Sequence, residues 1–175
     1  MTRLQPLTPT EAPAKAAELL TDIIERNGSV GTMAATMAHS PALLQGYLDF
    51  SRAMKRTKLP RPLSEKISIA VQEWIGCEVC QQAHLSAGRA AGLSETDIGL
   101  ARQGTSTDTR EALLLDLAVR ILTEPSSITD DDIEALRSAG WSDRILAEVV
   151  GIVMLNQLTG SFNLLAGLQP APATD

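Results

Sequence analysis

Apolar positions recur along this chain with helical spacing almost from end to end, and the polar residues between them punctuate helices rather than strands. Leu19, Leu20, Ile23 and Ile24 line one face of an Ala/Leu-rich run that Thr10-Glu11-Ala12-Pro13 opens and Asn27-Gly28 closes. Ser40 before Pro41 reads as an N-cap followed by proline at the first helical position, and Leu43, Leu44 and Leu48 continue that helix. Pro60 and Pro62 stop it and start another, which carries Ile67, Ile69, Ala70, Val71 and Trp74. Gly76 breaks that segment, and the next helix is predicted from about Cys77 to Ala91, with Gly92 after it.

The second half repeats one theme. Ser94-Glu95-Thr96-Asp97-Ile98 to Gly104, and Thr129-Asp130-Asp131-Asp132-Ile133 to Gly140, both read as cap, acidic first turn, short helix and glycine stop. Between them Glu111 to Thr123 is a strongly apolar helix ended by Pro125, and Ser142-Asp143 caps a last helix through Val149, Val150, Ile152, Val153 and Leu155 toward Leu165. No stretch alternates convincingly, so the pattern predicts an all-α, single-domain fold of about seven to nine helices. An N-terminal arm over residues 1–12, a helical domain over 13–168 and a disordered Pro/Ala tail over 169–175 complete the division.

Composition narrows the function classes. At 175 residues one domain buries roughly 70% of its unfolded surface, so neither a structural disulfide nor a structural metal is needed. Two Trp, one Tyr and two Phe are too few for base-stacking platforms, and a net charge of −6 has the wrong sign for phosphate-backbone binding. Nucleic acid is excluded as an expected partner. The N-terminal residues lack an apolar core of the secretory type, and Glu148 interrupts the apolar stretch from Ala147 to Leu155, which is too short to cross a bilayer. These readings predict a cytoplasmic chain without a membrane partner. In that reducing compartment a structural disulfide is improbable.

The chemistry is concentrated in Cys77-Glu78-Val79-Cys80-Gln81-Gln82-Ala83-His84. Its two cysteines and its histidine stand at i, i+3 and i+7, which is one face of a helix. Cys80 and His84 are one turn apart, close enough for the imidazole to take a thiol proton directly or through a water. Cys77, beside the break at Gly76, lies near a helix N-terminus, where unpaired N–H groups favour a thiolate. Such an arrangement suits a nucleophilic sulfur beside a second sulfur able to close a disulfide. Three plainer readings compete: two small core residues, half of a zinc site, or coincidence in an Ala-rich helix. The zinc reading has only His39 as a further imidazole and no second cysteine pair, and the missing strand excludes a thioredoxin fold.

Glu65, eleven residues, then Cys77-x-x-Cys80-x-x-x-His84 resembles the core motif of the AhpD-like alkylhydroperoxidases, within the carboxymuconolactone decarboxylase-like superfamily. The resemblance runs from His39-Ser40-Pro41 through the segment Leu63–His84 to Asn156 and Phe162-Asn163. It implies an all-helical fold assembled as a homo-oligomer, trimer or hexamer. It also implies a dithiol that reduces a hydroperoxide substrate and is restored by an external thiol reductant. Carried over by residue, Cys80 would be the attacking sulfur and Cys77 its resolving partner, with His84 the base and Glu65 the residue that orients it and passes protons. Family members often have a polar residue before the second cysteine, where this chain has Val79, which removes one relay position. The decarboxylases proper lack the cysteine pair.

Other features carry plainer readings. Glu65 alone could simply start a helix, and Glu73 and Glu78 could replace it beside His84, though they rank below it. Arg52, Lys55, Arg56, Lys58 and Arg61 form a basic run, read as a solvated helix end or, secondarily, as a docking patch for an acidic reductant. Met33, Met37 and Met54 read as packing residues, and Asn156, Gln157 and Asn163 as amides in need of partners across an interface or toward the site. Nothing in the sequence suggests a flavin, haem, nicotinamide or metal cofactor. Three functions are therefore carried forward: a cysteine-based hydroperoxide reductase, a lyase or isomerase acting on a small lactone or acid, and a non-catalytic thiol redox sensor.

Overall fold

A computed structural model describes residues 2–170. Among them are nine α-helices, one 3-10 turn at Pro125–Ser127 and no strand, so the fold is all-helical as the periodicity predicts. The helices are α1 (Ala14–Asn27), α2 (Thr32–Met37), α3 (Pro41–Met54), α4 (Arg61–Ile75), α5 (Glu78–Ala90), α6 (Glu95–Arg102), α7 (Thr109–Thr123), α8 (Asp130–Ser138) and α9 (Asp143–Ala166). Residues 171–175 of the tail expected to be disordered lie outside the described residues.

The chain divides into two compact units, one drawn from the chain up to Lys55 together with the segment from Phe162 onward, the other from Arg56–Ser161. In the first, α1, α2 and α3 close over a core of Ala16, Leu20, Met37, Ala38 and Leu44, against which Tyr47 and Phe162 pack. The N-terminal arm is tied down within this unit. Arg3 donates its backbone N–H to Ala166 O at 2.8 Å and its guanidinium to Leu164 O at 2.7 Å. His39, the second imidazole of the chain, is exposed and bonds Gln5 O at 2.9 Å.

The second unit is organised around α4, which packs against α5, α6 and α7. Leu63, Ile67, Ile69 and Val71 are almost wholly buried there, each worth about 1.5–3 kcal/mol relative to exposure. The caps follow the sequence cues closely. Ser94 and Asp97 form a reciprocal capping box on α6, and Thr129 and Asp132 do the same on α8.

Helix α9 runs 24 residues, long and apolar enough by length and composition alone to meet the test for a membrane span, and longer than its apolar stretch suggests. Its buried face in this unit carries Val149, Ile152, Val153 and the polar Asn156. Glu148, which interrupts the stretch, accepts the Lys58 backbone N–H at 2.7 Å and the Arg144 guanidinium at 2.8 Å.

Candidate functional site

Helix α4 ends at Gly76, whose φ of 74° is the left-handed conformation that favours glycine. The reversal hands the chain directly to Cys77, the N-cap of α5, whose N–H still reaches Gln72 O at 3.4 Å. Glu78 then begins α5, which puts Cys80 in its first turn. Both sulfurs thus lie at the electropositive end of one helix. They are joined in a disulfide with Cα atoms 5.3 Å apart, and both residues are buried. The pair is present in its oxidised form.

One turn beyond Cys80, His84 turns its Nδ1 to Glu65 Oε2 at 2.8 Å. With Glu65 ionised, Nδ1–H is the donor, which leaves Nε2 as the proton-accepting nitrogen on the other side of the ring. The histidine side chain is 28% exposed and the glutamate 8%, so the dyad runs from the interior to the surface. The second carboxylate oxygen, Oε1, accepts from Arg61 Nε at 2.6 Å. Burial pushes the Glu65 carboxyl up, but the bond and charge of His84, and then those of Arg61, outweigh it and hold the group below the ordinary carboxylate value.

The remaining candidates sort cleanly. Glu73 does not reach His84; it accepts from the Gln81 amide and pairs with Arg102 at 3.2 Å. Glu78 is exposed in the first turn of α5. Asn156 turns inward rather than across an interface. Its Nδ2 donates to Ser68 Oγ at 3.1 Å and its Oδ1 accepts from Gln72 Nε2 at 2.9 Å. Asn163 is buried and Gln157 bonds Ser161 Oγ at 2.9 Å.

Gly160 of α9 sits against this network, where a methyl group would meet Gln72 Oε1 at 2.8 Å and Ile75 Cγ2 at 2.9 Å. A side chain there would force Gln72 and Ile75, in the turn of α4 that leads into Cys77, to shift. Glu65, Ser68 and Gln72, at i, i+3 and i+7 on α4, form the face presented to His84 and Asn156.

Two groups escape a reading of the sequence. Lys66 is buried and reaches Glu111 Oε2 at 2.7 Å, Asp97 Oδ1 at 3.3 Å and Ser106 Oγ at 3.2 Å, which pins α4 to α6 and α7. Arg61 belongs to the basic run, but the run is not one solvated helix end. Arg52 lies in the last turn of α3, whereas Arg61 opens α4 and holds Glu65. The cue for Arg61 is its i, i+4 spacing to Glu65. Among the described residues no cluster of His, Cys, Asp and Glu could hold a metal ion.

The sequence profile of the carboxymuconolactone decarboxylase family matches residues 41–124, which include Glu65, both cysteines and His84. No curated protein matches the chain. Among solved structures, an alkylhydroperoxidase AhpD core protein from Ralstonia eutropha JMP134, described as peroxidase-related, is similar at 19% identity and a TM-score of 0.80, over 98% of this chain and 93% of its own. The debrominase Bmp8, as a cysteine-to-alanine variant in complex with 2,3,4-tribromopyrrole, is similar at 16% identity and a TM-score of 0.76, over 98% and 93%. A putative antioxidant defence protein AhpD from Agrobacterium tumefaciens is similar at 20% identity and a TM-score of 0.69, over 78% and 96%. At these identities the structures speak for the fold. The profile match spans the cysteine pair and its Glu–His partners, so this segment is similar to the carboxymuconolactone decarboxylase family, and the chain has the AhpD-like fold.

Proposed function

We propose that this chain is a cysteine-based hydroperoxide reductase of the reducing cytoplasm, in which the Cys77/Cys80 dithiol supplies two electrons while His84 and Glu65 move the proton. The observation that supports this best is the continuity of the site: a disulfide in the first turn of α5, His84 one turn on, and a 2.8 Å bond from that ring to the buried Glu65. In the reduced protein His84 takes the Cys80 proton. The Cys80 thiolate attacks one oxygen of the hydroperoxide, and the O–O bond breaks as the S–O bond forms. His84 returns its proton to the departing alkoxide, giving the alcohol and a sulfenic acid on Cys80. Cys77 then attacks that sulfur, and the expelled hydroxide takes the Cys77 proton to leave as water. Two thiols and one hydroperoxide become one disulfide, one alcohol and one water; an external thiol reductant reopens the pair.

Cys80 is the attacking sulfur on this reading. The helix N-terminus favours a thiolate at either cysteine, since Cys77 is the N-cap and Cys80 lies in the first turn. Only Cys80 has a base one turn away that can both take a proton and give one back. Trapping tests the order. In Cys77→Ser, peroxide is expected to leave a sulfenic acid on Cys80 that dimedone labels, while Cys80→Ser reacts slowly at Cys77. Equal or reversed labelling would exchange the two roles. Turnover that survives replacement of both cysteines by Ala would favour the lyase or isomerase reading instead. Because the fold is shared with a debrominase, a brominated pyrrole belongs beside the hydroperoxides among the acceptors tried.

A further inference from the structure

Arg61 stands where helix energetics argue against it. It opens α4 directly after Pro60, at an N-terminus with no side-chain cap and no acidic residue in the first turn. The positive end of the macrodipole disfavours a cation there. Each other α-helix that starts in this unit holds an acid in its first turn: Glu78 in α5, Glu95 and Asp97 in α6, Glu111 beside Arg110 in α7, the three aspartates of α8 and Asp143 beside Arg144 in α9, whereas α4 holds its cation with no acid there. Arg61 is also 70% exposed and buries little of itself. What it does is reach one helical turn inward, to Glu65 Oε1 at 2.6 Å, while the other oxygen of the same carboxylate faces His84 Nδ1 at 2.8 Å.

We propose that Arg61 is a positioning residue of the relay: it clamps one oxygen of Glu65 so that the other is held, as a charged acceptor, on His84. This rests on the reading of Glu65 and His84 as the proton relay. The division of labour follows from geometry. A carboxylate on a flexible side chain can rotate either oxygen, or both, toward a donor, and a protonated one can turn its O–H to the ring and reverse the bond. A guanidinium on Oε1 removes both freedoms. From α4 itself the charged Arg61, and from α5 the titratable His84, face this carboxylate; Lys66, the next residue of α4, is bonded to α6 and α7. An arginine that stabilised α4 without acting on Glu65 would leave the titration of Glu65 where it was.

The test compares wild type, Arg61→Gln and Arg61→Lys in the reduced protein. The side-chain carboxyl of Glu65 is followed by carbon NMR against pH, assigned through Glu65→Gln, and peroxide-driven thiol loss is followed over the same range. In Arg61→Gln the Glu65 midpoint is expected to move upward and the acid limb of thiol loss to move with it. The rate below that limb then falls roughly three- to tenfold, for a displacement of about half to one pH unit, and approaches wild type well above it. Arg61→Lys, which keeps the charge, should restore most of the displacement. An unmoved Glu65 midpoint in Arg61→Gln would overturn the proposal. If peroxide consumes no thiols in any of the three proteins, the hydroperoxide reading has failed, and the NMR midpoint still decides the role of Arg61.

Discussion

Gln72 donates its side-chain amide to two oxygens of the same residue, Asn156, reaching the backbone carbonyl at 3.0 Å and the side-chain Oδ1 at 2.9 Å. Gln72 is wholly buried and Asn156 nearly so, and Asn156 returns a bond to Ser68 on the same helix as Gln72. The pair fixes α9 against the turn of α4 in which the Gln72 carbonyl receives the N–H groups of both Gly76 and Cys77. A polar lock therefore sits directly behind the cysteine pair.

Replacing the Asn156 side chain leaves the buried Gln72 amide with only the backbone carbonyl of residue 156 and takes the donor away from Ser68 Oγ. Asn156→Leu is expected to cost about 2–3 kcal/mol, read as a lower midpoint in urea denaturation. The double variant Gln72→Leu/Asn156→Leu should recover part of the loss, because removing both partners removes the unsatisfied amide. Additive losses in the double variant would show that the two residues act separately.

Lys66 is the second prediction. Burial pushes its ammonium down, but Glu111 and Asp97 outweigh this and raise it above the ordinary lysine value. Its contribution is therefore complete at every pH below that ordinary value and is lost only as pH climbs through the raised one. At neutral pH Lys66→Met leaves two carboxylates without their cation. Those carboxylates keep 25% and 28% of their surface, so the loss should be about 2 kcal/mol, below the 3–5 kcal/mol of a fully buried pair. Thermal denaturation checks this, and an unchanged midpoint would contradict it.

Much of this arrangement is legible in the sequence. Gly76 and Gly92 stop their helices, Ser40 caps α3 and Ser94 caps α6, because caps and glycine stops are local signals. The spacing of Cys77, Cys80 and His84 places them on a shared helix face for the same reason. Helix α2 escapes a pattern reading, since six residues without a capping side chain offer too little periodicity. Lys66 is hidden because its partners lie on other helices, at positions only the tertiary fold brings together. Arg61 misleads for the opposite reason: a run of five nearby cations looks like solvated surface, and only the helix boundary separates Arg52 at one end of α3 from Arg61 at the start of α4.

The third prediction concerns Glu65, the carboxylate of the proposed relay. Since Glu65 is held below its ordinary value, its contribution is complete above the ordinary carboxyl range and is lost as pH falls through the folded value. Glu65→Gln removes that charge at all pH values. Thiol oxidation at neutral pH is expected to slow about a hundredfold, and the acid limb of the pH profile should flatten. A variant that keeps both the rate and the limb would remove Glu65 from the relay.

A fourth prediction concerns assembly, which we propose is homo-oligomeric. Helices α7 and α9 are apolar on more than one face, and the structure leaves Leu113 of α7, with Val150 and Met154 of α9, 39–44% exposed. Val150 and Met154 are one turn apart and share a face. Light scattering at micromolar concentration should give a multiple of the 18.7 kDa chain mass, and Val150→Glu/Met154→Glu should lower it. A monomeric mass for the unaltered chain would refute the proposal.

The most direct test of the account is the fate of the two thiols. The protein is fully reduced, freed of reductant and given one equivalent of cumene hydroperoxide, and free thiols, intact mass and product alcohol are then measured together. The account predicts that both thiols disappear, that Cys77 and Cys80 of one chain become joined as in the structure, and that one cumyl alcohol is released per disulfide. Two intact thiols in an excess of peroxide would contradict it.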